Sequence, residues 1–168
     1  EPPVRRHLPF QRSDPRTNAP GMSDAPPLYW SAAQTDQFVE ALNASPDFQK
    51  AARKFDDKVV FRCLGTPEGE DVEVVYTIRK GRVSAERRSE EAPSSEIRQA
   101  PFDPRQAFAR TTAPFGVWVK LDKGEMNVVQ AIASPDYRVE GPKLKIMSNL
   151  GVFNAMSDVA SRLPKRYA

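Results

Sequence analysis

At 168 residues and 39% apolar content, the chain has the size of one domain with a single substantial core. Its 25 basic and 22 acidic residues leave a formal charge of +3, a balance that permits an anionic partner but does not demand one. The lone cysteine, Cys63, excludes an intrachain disulfide and the framework of a small secreted protein, which favours the cytoplasm, and no apolar run approaches the roughly 20 residues that cross a bilayer.

Residues 1–27 carry seven of the sixteen prolines and no apolar period, so they read as a flexible tail or linker ahead of a domain over residues 28–168. Arg5 and Arg6 are followed by polar, proline-broken sequence in place of the apolar core of an export signal. Phe38, Val39 and Leu42 share one face of a helix over residues 34–44, capped by Ser31 or Thr35. Ser45-Pro46-Asp47 opens a second, short helix with Phe48, Ala51, Ala52 and Phe55 at helical spacing.

From residue 58 the pattern becomes short β-branched runs. Residues 59–63 form a strand, and Val72, Val74, Tyr76 and Ile78 alternate with polar residues in a half-buried one. Lys80-Gly81 turns the chain into residues 82–87, which completes an antiparallel meander. Residues 89–100 read as a surface loop and residues 102–108 as a short helical patch. The run at residues 114–121 reads as a central strand, with Phe115, Val117 and Val119 on one face and Trp118 on the other. A helix over residues 125–133 follows, then a basic-apolar strand over residues 143–147. Val152, Phe153, Met156, Val159, Ala160 and Leu163 mark a last helix that stops at Pro164. The sum is an α+β domain with helices segregated to one side of a mostly antiparallel sheet.

The catalytic inventory is thin. His7, the only histidine, lies in the proline-rich tail, which argues against hydrolases that use a histidine base. Cys63 sits in an apolar strand, where an inert thiol is expected. One histidine and one cysteine leave no metal site, and the Arg79, Lys80, Arg82, Arg87 and Arg88 cluster has acidic neighbours and no nucleic-acid motif. No enzyme activity, cofactor, metal or nucleic acid is therefore expected. Lys143, Lys145, Lys165 and Arg166 could touch anionic lipid headgroups transiently.

The order of residues 114–120, 123–133, 141–146 and 150–163 resembles the sterol carrier protein type 2, or sterol-binding domain, family over residues 35–163. Two departures stand out: Pro142 separates Gly141 from Lys143, and Ser148 stands where that family often has glycine. The resemblance implies a five-stranded sheet with helices packed on one face, enclosing an apolar tunnel for lipids or other apolar metabolites. The residues expected to line it are Phe102, Phe108, Phe115, Trp118, Val128, Val129, Ile132, Phe153 and Met156, though each taken singly reads first as ordinary packed core. The expected function is non-enzymatic binding or carriage of a lipid. The alternative is an accessory subunit of an enzyme complex that docks on a protein partner partly through residues 1–27.

Overall fold

The computed structural model describes residues 25–168. Most of the expected tail lies outside them; within it, the carbonyls of Pro26 and Pro27 accept hydrogen bonds from Arg166. Helix α1 (Ala32–Ala44) begins at Ser31, whose side chain accepts from the Gln34 N–H, and α2 (Pro46–Ala52) begins at Ser45, which accepts from Phe48. Of the residues their spacing predicts, Phe38 and Leu42 are buried in the first helix and Phe48 and Ala52 in the second, while Val39 is half-buried and Ala51 is exposed.

Three strands then form a meander: β1 (Asp56–Leu64), β2 (Glu70–Arg79) and β3 (Arg82–Glu91). The β2–β3 turn holds Lys80 at φ 50° and Gly81 at φ 87°, the paired positive values that a two-residue hairpin needs to match strand twist. Val59, Phe61 and Cys63 face the helices, as do their β2 partners Tyr76, Val74 and Val72. β4 (Ala109–Pro114) pairs parallel to β1 and β5 (Arg138–Glu140) pairs antiparallel to β4, which gives a five-stranded sheet in the order β3-β2-β1-β4-β5.

The structure corrects several expectations. The interior strand of this region is β4, one segment earlier than expected and flanked by β1 and β5, and the apolar run over residues 114–121 is helix α4 (Phe115–Asp122). A short apolar run fits either element, and here the helical face of Val117, Trp118 and Leu121 is the buried one. The expected strand over residues 143–147 is helix α6 (Lys143–Ser148), so its alternation does not mark a pleat. The expected surface loop holds the end of β3 and helix α3 (Glu96–Gln99), with Ser95 and Ile97 buried. No helix forms over residues 102–108, which make turns before β4.

Helices α1, α2, α4, α5 (Val128–Ala133), α6 and α7 (Leu150–Arg162) cover one sheet face. The Arg62 side chain, on the other face, donates to the carbonyl of Ile97 and to Thr112 Oγ1, so α3 and its flanks close that side. Asp71, also on that face, takes paired hydrogen bonds from Arg98 and one from Ser95. Among the described residues no helix is long and apolar enough to cross a membrane.

Candidate functional site: an apolar cavity between sheet and helices

The helix layer does not close fully on the sheet. Between them lies a partly enclosed cavity of about 100 Å³. Its floor is Val59 and Phe61 of β1, Tyr76 of β2, Ala109 and Thr111 of β4 and Val139 of β5. The small residues of β4 make the room: Ala109 and Thr111 are buried, yet they leave space above the sheet that larger side chains would fill. The roof comes from Phe38 of α1, Trp118 and Leu121 of α4, Val128 and Ile132 of α5, Ile146 of α6, and Phe153 and Met156 of α7.

Of the nine residues expected to line a tunnel, Trp118, Val128, Ile132, Phe153 and Met156 line this cavity. The other four lie elsewhere. Phe102 rests on the Arg110 guanidinium, 5.7 Å from its ring, and Phe108 packs edge-on against Phe55. Phe115 meets Tyr29, and Val129 is 56% exposed on the outer side of α5. A strand period groups Phe115 with Val117 and Val119, but the segment is helical, which turns Phe115 away from the buried Val117 and leaves it half-buried beside Val119.

Sequence reasoning missed the polar part of the wall. Tyr29, Trp30, Gln34, Thr35, Asp122 and Ser157 also border the cavity. Trp30 has φ 69°, an unusual value for a bulky residue that costs about 1–2 kcal/mol. Its surroundings hold it there: its N–H donates to Gln34 Oε1 (3.3 Å), its carbonyl accepts from Arg87 Nε (3.0 Å), and its ring packs at a tilt against Trp118, 5.1 Å between centroids. Trp118 is fixed in turn by its indole N–H, which donates to the Arg62 carbonyl at 3.0 Å.

Asp122 is buried and takes Lys165 Nζ at 2.7 Å on one oxygen and the Tyr167 hydroxyl on the other. The Lys165 side chain is only 2% exposed and also donates to the Ala160 carbonyl. This corrects the expectation that Lys165 meets lipid headgroups, because its charge is already matched inside the protein. Arg166 donates from its backbone to Pro27 and from its side chain to Pro26, and Tyr29 N–H donates to the Arg166 carbonyl. The segments around residues 28 and 166 thereby pair as a short parallel bridge beside the cavity.

The wall disfavours ionisation. Burial pushes the Tyr29 phenol well above its ordinary range, with Asp122 adding to the effect, and burial pushes Tyr76 up as well. Tyr137 is pushed up to about 12, again chiefly by burial. Cys63 is fully buried and its thiol is raised by the same cause, so it is held unreactive.

No protein-family model matches the chain, and no curated protein matches it. Solved structures do. A crystal structure of sterol carrier protein 2 superposes with a TM-score of 0.64 at 15% identity, covering 80% of this chain and 98% of the other. The solution structure of a conserved hypothetical protein of Thermus thermophilus, described as a candidate sterol carrier protein, gives 0.64 at 14% identity, covering 86% and 95%. The chain therefore has the sterol carrier protein 2 fold: an α+β domain built on a five-stranded sheet with one parallel pair.

Proposed function

We propose that this domain, with its sterol carrier protein 2 fold, binds and carries a lipid or another apolar molecule in the cavity and does no chemistry on it. The observation that carries this reading is the cavity itself, an apolar space built jointly by four strands and five helices. An unfilled void of about 100 Å³ would cost about 2 kcal/mol in lost packing, so an occupant stabilises the fold as well as being carried by it. Each methylene moved from water into such a space gains about 0.8 kcal/mol, so a ten-carbon chain gains about 8 kcal/mol before ordering costs. The contacts proposed for the ligand are Trp118, Val128, Ile132, Phe153 and Met156. A single buried thiol suits a reducing, cytoplasmic setting.

Native mass spectrometry of the freshly purified protein, followed by organic extraction, tests the proposal. A stoichiometric lipid or isoprenoid is the expected result. A protein that arrives empty and takes up no added fatty ester or alkane would overturn it.

Loading from an anionic membrane is the finer part of the proposal, and it rests on α6. Leu144 is 87% exposed and Met147 is 50% exposed, flanked by exposed Lys143 and Lys145, while Ile146 of the same helix lines the cavity. Apolar side chains ringed by lysine suit an interface of acyl chains and acidic headgroups. Co-sedimentation with vesicles should require anionic lipid and should weaken severalfold in a Lys143→Glu, Lys145→Glu double variant; equal binding to neutral vesicles would remove this part.

A further inference from the structure

Most of the cavity wall is apolar, but three side chains in it carry polar groups without a partner among the described residues: Trp30, whose indole N–H is fully buried, and Gln34 and Tyr76, which border the cavity. Gln34 is 5% exposed. Its Oε1 accepts the Trp30 N–H at 3.3 Å, and this bond fixes the orientation of the amide, because the NH₂ group cannot accept it. The Nε2 hydrogens are then left without an acceptor among the described residues. Tyr76 is also 5% exposed, and its hydroxyl has no hydrogen-bond partner among the described residues. Both border the same cavity, and Phe38, one helical turn beyond Gln34, meets the Tyr76 ring at 5.7 Å.

The Trp30 indole N–H is a buried donor without an acceptor among the described residues, whereas the Gln34 amide and the Tyr76 hydroxyl are not sealed from the cavity and are open to water or to a ligand oxygen. The charge inventory narrows what that oxygen belongs to. Among the described residues no lysine, arginine or histidine borders the cavity, and the one ionisable acid, Asp122, is matched by Lys165 and Tyr167. A carboxylate brought into this space would shed its water and find no cation. The upward push on the Tyr29 and Tyr76 phenols expresses the same penalty on negative charge.

Building on the carrier reading, we propose that the Gln34 amide and the Tyr76 hydroxyl form a polar seat for a neutral oxygen acceptor, a carbonyl or ester oxygen, on an otherwise apolar ligand, and that the seat selects against a free carboxylate. The ligand class is then a neutral amphiphile whose single polar group is buried with it. The apolar wall supplies most of the affinity, and the seat sets orientation and selectivity.

The test uses the intact, delipidated protein and three ten-carbon probes: decane, methyl decanoate and decanoate at about pH 8. Trp30 and Trp118 border the cavity, so their fluorescence reports occupancy directly. Methyl decanoate should bind at least about tenfold more tightly than decanoate, and more tightly than decane. Gln34→Met and Tyr76→Phe should each lower the affinity for the ester relative to that for decane by about three- to tenfold. Tyr76→Phe removes one oxygen and keeps the ring, so it remains informative if Gln34→Met folds poorly. Decanoate binding as tightly as the ester, or an ester affinity relative to decane untouched by both substitutions, would overturn the seat and leave the carrier reading standing. Binding of none of the three would overturn both.

Discussion

The pair Asp122–Lys165 is the most consequential contact between individual side chains. Both groups are almost fully buried, and each finds a second partner, Tyr167 for the carboxylate and the Ala160 carbonyl for the ammonium. Breaking such a pair from one side strands the remaining charge in a low-dielectric interior, which costs far more than the pair contributes net. Asp122→Asn is expected to lower unfolding stability by about 3–5 kcal/mol in urea titrations. Replacing both members, Asp122→Leu with Lys165→Met, should recover most of that loss. A single variant as stable as the parent would show that Lys165 escapes to solvent.

Among the elements, the passage from β5 into α6 hinges on Gly141. Its φ is 136°, and a Cβ there would stand 2.7 Å from the Phe108 carbonyl and 3.2 Å from Ala109 Cα, both backbone atoms that cannot yield cheaply. Gly141→Ala should destabilise the domain by about 2 kcal/mol or more, read from the urea midpoint; an unchanged midpoint would mean that β5 is free to shift. This turn also marks where the sequence stopped being legible. The caps at Ser31 and Ser45, the alternation of β2 and the Lys80-Gly81 hairpin were readable because each is a local signal with one physical solution. β4 was not. Its Ala109-Arg-Thr-Thr-Ala-Pro114 has no apolar period, because it is covered on both faces and its polar side chains are satisfied by distant partners: Arg110 by Glu140, and Thr112 by Arg62. The apolar residues after it draw a strand assignment one segment too far, and Phe115 is carried along. The aromatic and aliphatic cavity residues on α4, α5 and α7 could still be found, since burial alone marks them. Gln34 and Tyr76 could not, because a residue with an unfilled hydrogen bond looks in sequence like any other on a helix or strand.

The whole molecule should respond to pH from two opposite directions. Asp71 is fully buried, which alone would raise its carboxyl; hydrogen bonds from Arg98, Ser95 and the Gly65 N–H outweigh that and hold it below the ordinary range. A carboxyl held low stabilises the fold above its unfolded value, near 3.9, and that contribution is lost as pH falls through the folded value. Tyr137, raised to about 12 chiefly by burial, and Tyr167, raised to about 12 by burial and its bond to Asp122, act in the other sense. Their contribution is intact below about pH 10 and is lost as pH rises towards 12. Melting temperature plotted against pH should show a plateau that falls at both ends. Asp71→Asn should lower the plateau and flatten the acid limb, and an acid limb unchanged in that variant would place its origin elsewhere.

The bridge between Leu28 and Arg166 joins residues 138 positions apart, whereas β1, β2 and β3 pair through short turns. Closing a loop of that length costs about 4 kcal/mol of chain entropy, which the meander never has to meet in one step. The meander should therefore assemble first and the bridge last, and in the native state the bridge should be the first region to open. Amide hydrogen exchange gives this order a number. The Tyr29 and Arg166 amides, which donate to Arg166 and Pro27, should exchange orders of magnitude faster than those of Val60 and Val75 at the centre of the sheet. Equal protection would mean that the two ends and the sheet unfold as a single cooperative unit.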